Sequence, residues 1–144
     1  MVFLTDADAA NWREIQSNER AKLPQNRLHC LILGVSDRNV ECWLCADADW
    51  LGRKLGVDSN LFRCEDPKAH FEQAMALNRD DRKEREIAEL VRSAPLSNWL
   101  ANRSFADFYE QVRDLSQQRG CFVENLRDGG SSGPLAGPSG PDLG

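Results

Sequence analysis

The sequence predicts an α/β protein with a small parallel sheet near its amino terminus and a helical carboxyl-terminal half. Two apolar, β-prone runs, residues 1–5 and 27–35, flank a segment with helical periodicity. Beyond residue 36 the apolar residues recur at helical spacing. A strand, a helix and a strand in this order form a βαβ unit, whose right-handed crossover makes the two strands parallel.

The first run ends in two carboxylates, Asp6 and Asp8. Residues at i and i+2 leave a strand on the same face, so both side chains could reach one hard cation such as Mg²⁺. A purely structural role is the alternative, in which Asp6 ends the strand and Asp8 caps the next helix. The spacing alone leaves both interpretations open.

The second run, residues 27–35, is almost continuously apolar, which is typical of a strand buried on both faces in a parallel sheet. His29 lies inside this run, so we expect no catalytic role for it. Open α/β sheets bind ligands at the carboxyl edge of their strands. On that edge the sequence places the two aspartates together with Ser36, Asp37, Arg38 and Glu41.

Two helices are predicted around these strands. The first covers residues 9–23, and Pro24 stops it. The second covers residues 39–55 and carries Asp47 within its apolar stripe, so we expect an arginine such as Arg38 or Arg13, or a polar site, to satisfy this carboxylate. A satisfied, buried aspartate that holds two elements together is the structural alternative. Glu41 lies in the first turn of the second helix, where a carboxylate is favoured, and ranks above Asp47 as a site residue.

The remaining sequence predicts further helices. One begins at Pro67 and extends to about residue 77, and another covers residues 80–93. Ser104 and Asp107 have the spacing of a capping box at the start of a last helix, which Gly120 ends. Residues 121–123 form either a short strand or an extended tether.

These residues together resemble a known family. The strand ending in Asp6-Ala-Asp8, the segment from Arg38 to Asp47 with its Glu-x-Trp-Leu-x-Ala-Asp pattern, Asp66-Pro67-Lys68, and Ser104-Phe105-x-x-Phe108 occur in the order seen in Toprim-like proteins of unknown function. Those proteins are distant relatives of the catalytic domains of topoisomerases, primases and overcoming-lysogenization-defect nucleases. The resemblance covers about residues 2–116.

The resemblance implies that Asp6 and Asp8 are the metal-binding pair, that Glu41 is a further acid of the site, and that the cofactor is Mg²⁺ or Mn²⁺. Asp37, Arg38 and Asp47 are supporting candidates. A complete domain of this family has an earlier strand that bears a glutamate, whereas this sequence starts at the Asp-x-Asp strand. We therefore expect the chain to be truncated at its amino terminus and the site to be incomplete.

Composition limits the other possibilities. The chain has 144 residues, of which 41% are hydrophobic, which is enough for one core, so we expect a single domain over residues 1–128. Five cysteines without framework spacing favour reduced thiols and a cytoplasmic protein. Cys42, Cys45, Cys64 and His70 loosely resemble zinc ligands, but zinc pairs rarely lie in mid-helix, so we expect no zinc. Both Cys42 and Cys45 should be reachable from solvent.

Three functions remain open. The first is metal-dependent phosphoryl transfer related to nucleases, and the second is a non-catalytic remnant or protein-interaction module that keeps the fold. The third is another Asp-x-Asp enzyme such as a haloacid-dehalogenase-type phosphatase. A net charge of −5 argues against broad nucleic-acid affinity, so nucleic acid would be reached through a metal or a partner chain. A protein partner and a homo-oligomer are the other candidates, and no apolar stretch suggests a membrane partner.

Residues 129–144 are nearly all glycine, serine and proline, a composition that predicts a flexible tail. Truncation after Asp128 should leave the thermal midpoint unchanged, because the tail offers no apolar periodicity for packing. Differential scanning calorimetry of both lengths checks this. A fall of more than a few degrees would show that the tail packs on the domain.

Overall fold

The computed structural model describes residues 1–8, 10–75 and 82–128. Strands β1 (Val2–Asp6) and β2 (Ile32–Ser36) pair in parallel, with Val2 beside Ile32 and Asp6 beside Ser36. They form a two-stranded sheet in the described part of the chain. The predicted mixture of a small parallel sheet and many helices is therefore confirmed. The predicted tail, residues 129–144, lies outside the described residues.

Helices make up most of the rest. The α-helices are α1 (Trp12–Ala21), α2 (Val40–Leu44), α3 (Ala48–Leu55), α4 (Lys68–Ala74), α5 (Arg82–Ser93), α6 (Leu96–Trp99) and α7 (Arg103–Gln118). Short 3₁₀ helices cover Gln25–Cys30, Ser59–Phe62 and Leu126–Asp128. None of the described helices is both long enough and apolar enough to cross a membrane.

The predicted strand over residues 27–35 was too long at its start. Residues Gln25–Cys30 form a 3₁₀ helix, and His29 is exposed on it instead of buried in the sheet. Pro24 begins this turn with a φ of −59°, which its ring favours, and the polar side chains that follow stay in water. The buried part of the run begins only at Leu31.

The predicted helix over residues 39–55 is broken into α2 and α3. Asp47 causes the break, because its side chain accepts a hydrogen bond from the Trp50 backbone N–H (3.1 Å) and so starts a new helix. Cys45, Ala46 and Asp47 connect the two pieces. The helical spacing survives the break, and Trp43, Leu44 and Leu51 are all buried.

Helix α7 does not begin with the predicted capping box. Asn102 is its N-cap and accepts hydrogen bonds from the backbone N–H groups of Ser104 (3.1 Å) and Phe105 (3.2 Å). Ser104 instead accepts a hydrogen bond from the Trp43 indole N–H (2.7 Å) in the core. The helix ends at Gln118, before Gly120 with its left-handed φ of +67°. Residues 121–123 are a tether and not a strand.

The core has one cluster on each face of the sheet. On the α1 face, Trp12 packs with Leu31, Leu33, Val35 and Ala7. On the other face, α2, α3, α4, α5, α6 and α7 enclose the larger cluster. Gly34 allows α7 to lie close to the sheet, because a Cβ on it would stand 2.9 Å from Phe108 Cδ2 and 2.5 Å from Leu4 Cδ2.

The free edge of β2 is closed by glutamine side chains. The Ile32 N–H donates to the carbonyl of Met1, just before β1, so by the alternation of the ladder the N–H and C=O of Leu33 point the other way. Gln111 Oε1 accepts from Leu33 N (2.9 Å), and Gln111 Nε2 donates to Leu33 O (2.9 Å). Gln16 also donates to Leu33 O (3.0 Å), and Asp107 Oδ2 accepts from both glutamine amides. The Gln111 side chain thus makes the two hydrogen bonds to Leu33 that a neighbouring strand would make.

Within residues 1–8, 10–75 and 82–128, no side chain covers the outer edge of β1 in this way. Val2 is 58% exposed, Phe3 48% and Leu4 54%, although all three are apolar and uncharged. Edge strands in soluble proteins usually carry a charge, a proline or a bulge that discourages further pairing. β1 lacks these devices before Asp6.

Gln111→Ala should lower the free energy of unfolding by about 2–4 kcal/mol, because it leaves the Leu33 backbone groups and the Asp107 carboxylate with fewer partners in a half-buried place. Urea denaturation measures this. Gln117→Ala is the matched control, since Gln117 is exposed on the same helix. Equal losses in the two variants would contradict the proposed role of the edge contact.

Candidate functional site

An open cleft lies at the carboxyl ends of the two strands. Its volume is about 520 Å³. Asp6 and Asp8 line it and are exposed, and Ser36 lines it from the end of β2. The remaining walls are largely apolar and come from β1 and α2, through Leu4, Thr5, Val40 and Trp43.

Backbone hydrogen bonds hold the two acid-bearing segments together beyond the strands. Ala7 N donates to Ser36 O (3.1 Å), and Asp8 N donates to Arg38 O (2.8 Å). Asp8 adopts a left-handed φ of +53°, a conformation that aspartate tolerates better than most residues. The Ser36 hydroxyl donates to Asp6 Oδ1 at 2.7 Å. The Asp6 carboxylate is therefore oriented by a buried side chain, whereas its second oxygen has no hydrogen bond of its own in the described part of the chain.

Glu41 does not join the two aspartates in the cleft. It is 9% exposed and lines a neighbouring apolar cavity, and Lys68 Nζ lies 4.0 Å from its Oε1. Helix geometry explains the separation, because consecutive residues turn by about 100° and Val40, not Glu41, faces the cleft. The described residues contain no group of three or more acidic, cysteine or histidine side chains placed to hold a metal ion.

Two side-chain contacts join the segment after β2 to residues 65 and 66. Arg38 forms an ion pair with Glu65, and this hydrogen bond raises the pKa of Arg38. Asn39 Nδ2 donates to Asp66 Oδ1 (3.2 Å), which lowers the pKa of that carboxyl. The predicted supporting residue Arg38 therefore has its charge matched by Glu65, and Asp37 is exposed beside it.

The contacts of Asp47 are structural, because they start α3 and join it to α6. Its Oδ1 caps α3, and its Oδ2 accepts from Asn98 Nδ2 at 2.8 Å, which joins α3 to α6. Of the alternatives for Asp47, an aspartate that holds two elements together describes these contacts, whereas neither named arginine is its partner, because Arg38 pairs with Glu65 and Arg13 lies over the Trp12 ring, 4.7 Å from its centroid. Asp47 is not among the residues that line the cleft.

The candidate zinc ligands have very different environments. Cys45 is buried, Cys42 is half-buried, and Cys64 and His70 are exposed. The expectation that Cys45 can be reached from solvent was therefore wrong, since its side chain lies in the core. Burial raises the pKa of Cys45 to about 12, which keeps it a neutral thiol at neutral pH.

Among the described residues, the side chains that could ligate a cation in the cleft are two carboxylates and the hydroxyls of Ser36 and Thr5, all oxygen donors. This donor set suits Mg²⁺ or Mn²⁺, which are bound through one or two carboxylates with water or substrate oxygens completing the shell. Sequence reasoning missed the apolar walls, because it placed Val40 and Trp43 on the packed face of one long helix. Val40 is 44% exposed, and nothing in the sequence pattern predicts that exposure.

Comparisons with protein-family models, with curated proteins and with solved structures found no match to this chain.

The Cys45 thiol should make the protein less stable at high pH. Its ordinary pKa is 9.0 and its folded value about 12, so below pH 9 both states keep the proton, and between the two values mainly the unfolded chain releases it. The free energy of unfolding should then fall by up to about 1.4 kcal/mol per pH unit. Urea denaturation from pH 8 to 11 measures the slope.

Cys45→Ala should remove this component of the slope, and Cys64→Ala should not, because Cys64 is exposed. Identical slopes in the wild type and Cys45→Ala would contradict the assignment.

Proposed function

We propose that this chain is a Toprim-like domain for divalent-metal-dependent phosphoryl transfer on nucleic acid, related to nucleases. The observation that carries the proposal is the placement of Asp6 and Asp8 at the end of a parallel strand, in an open cleft that they share with Ser36 at the end of β2. Ligand sites of open α/β sheets lie at this edge. The order of the motifs from Asp6 to Phe108, which resembles that of Toprim-like proteins, also supports the proposal.

Asp6 and Asp8 would hold the cation in this proposal, and the Ser36 hydroxyl would keep the Asp6 carboxylate turned into the cleft. A bound Mg²⁺ or Mn²⁺ supplies charge neutralisation at the phosphoryl oxygens and a fixed orientation for the nucleophile. The negative net charge of −5 fits a site that meets phosphate through a cation. Glu41, which the sequence placed with the two aspartates, lines the apolar cavity and not the cleft, so no metal contact is assigned to it.

Two aspartates alone predict weak metal binding. Mg²⁺ or Mn²⁺ at millimolar concentration should raise the thermal midpoint of the wild type, because a ligand that binds only the folded state stabilises it by mass action. The double variant Asp6→Asn with Asp8→Asn should lose this increment. Thermal denaturation with and without each cation, in buffer of matched ionic strength, measures the difference.

Asp37→Asn is the matched control, because Asp37 is an exposed acid next to the same strand end and does not line the cleft. It should keep the cation-dependent increment. Nicking of supercoiled plasmid in Mn²⁺, present in the wild type and in Asp37→Asn but absent from the double variant, would extend the result from binding to activity. A wild type without any cation-dependent shift would overturn the metal site.

A protein-interaction module is the second candidate function. It is favoured by the exposed apolar edge of β1, which can accept another strand through its outward-facing backbone groups. A wild type whose thermal midpoint does not change with divalent cations would favour this candidate. The phosphatase alternative needs a lysine and an acidic pair at the ends of later strands, and the described residues after Ser36 include no strand to carry them.

A further inference from the structure

The two edges of the sheet differ. The Gln111 side chain closes the far edge of β2. The outer edge of β1 is open, since no further strand pairs with it in residues 1–8, 10–75 and 82–128. Its consecutive residues Val2, Phe3 and Leu4 are apolar and about half exposed. The sheet can therefore be extended at β1 and not at β2.

The backbone of β1 directs hydrogen-bonding groups outward at alternate residues. The Ile32 N–H donates to Met1 O, so Met1 and every second residue after it point their N–H and C=O groups at β2. Val2, Leu4 and Asp6 therefore point theirs away from β2. A strand added at this edge would form its main-chain hydrogen bonds with these residues.

Both faces of β1 are also open. Helices α7 and α1 pack on β2, on opposite faces of the sheet, and contact its far edge. The Leu4 side chain lies on the α7 face beside Gly34, and Phe3 lies on the α1 face beside Leu31 and Leu33. A single peptide strand would cover the edge and leave these faces in water. A partner that brings a sheet with helices on both of its own faces fits this surface better.

A second copy of the chain has these properties. Antiparallel pairing of β1 with itself, about a twofold axis at Phe3, places Val2 opposite Leu4 and Phe3 opposite Phe3 of the second copy. Each exposed apolar side chain then lies beside another one on the same face of the sheet. The joined sheet has a β2 strand at each end, and Gln111 closes each end, so no edge of the described sheet remains open for further growth.

The charge of Asp6 selects this register. Parallel pairing would put Asp6 beside Asp6 of the second copy, and like charges directly opposite destabilise a sheet. Antiparallel pairing about Leu4 or Thr5 would put the carboxylate opposite an apolar residue, Val2 or Leu4. Pairing about Phe3 leaves Asp6 beyond the second copy's β1 strand and puts only uncharged residues opposite each other.

We infer that this chain forms a homodimer through its β1 strands, paired antiparallel about Phe3. The dimer makes the second candidate function specific, because it uses the same open edge. It does not require the metal site, since Asp6 and Asp8 stay outside the pairing.

Sedimentation velocity of the full chain over a concentration series tests the dimer. The interface is small, so we expect a micromolar dissociation constant for the wild type. Phe3→Lys places two ammonium groups opposite each other and should leave the chain monomeric across the series. Phe122→Lys is the matched control, because Phe122 is 92% exposed but lies outside β1, and it should dimerise like the wild type.

Two further variants keep the test decisive. If circular dichroism shows that Phe3→Lys does not fold, Val2→Lys, at a more exposed position of the same strand, should also be monomeric. The double variant Asp6→Asn with Asp8→Asn should remain a dimer. Loss of the cation-dependent stabilisation can thus be told apart from loss of the dimer.

Oxidative cross-linking tests the register. Phe3 and its symmetry mate form a pair without hydrogen bonds, with Cα atoms about 4.5 Å apart, so Phe3→Cys should link two chains. Val2 and its own symmetry mate are diagonal neighbours roughly 7–8 Å apart, so Val2→Cys should link poorly. Mass spectrometry of tryptic peptides separates these links from links through the exposed native thiols of Cys64 and Cys121.

Three outcomes would overturn the inference. A wild type that is monomeric at every concentration would leave the edge to a strand of another protein. Equal behaviour of Phe3→Lys and Phe122→Lys, or a dimer that persists in Val2→Lys, would place the interface away from β1. Equal cross-linking by Phe3→Cys and Val2→Cys would contradict pairing about Phe3.

Discussion

The hydrogen bonds between the Gln111 side chain and the Leu33 backbone are the constraint on which the rest of the described structure depends. A sheet of two strands leaves the far edge of β2 without a neighbour, although that strand is buried along its whole length. Buried backbone groups without partners are costly. One amide from α7, supported by Gln16, Asp107 and Arg20, supplies the missing donor and acceptor.

This contact also determines where the candidate site lies. Because α7 and α1 hold β2 from its free edge, the end of β2 has a fixed position against β1, and Ser36 can reach the Asp6 carboxylate. The backbone bond from Asp8 to Arg38 continues the pairing one step further. The ion pair of Arg38 with Glu65 and the bond of Asn39 to Asp66 then anchor the start of α2. The two acids are thus positioned by backbone hydrogen bonds and by the Ser36 hydroxyl, and not by contact with each other.

The short helix α2 separates two environments. Its Glu41 lines the apolar cavity and not the cleft, whereas Val40 and Trp43 line both. A continuous helix through residues 39–55 would have been amphipathic with a single buried stripe. Helix α2 ends at Leu44, before the break at Asp47, and its Val40 and Trp43, together with Leu4 of β1, lie between the candidate metal cleft and the apolar cavity.

The sequence by itself determined the α/β class, the parallel pair of strands, and the position of Asp6 and Asp8 at a strand end, because apolar periodicity and the handedness of the βαβ crossover are local properties of the chain. It placed Asp6, Asp8 and Ser36 on one edge correctly. Only the tertiary structure decided that Glu41 lies away from that edge and that Asp47 accepts a hydrogen bond from Asn98. It also decided that the Gln111 side chain pairs with the Leu33 backbone as a neighbouring strand would. Those outcomes depend on side chains up to 78 residues apart, which no periodicity records.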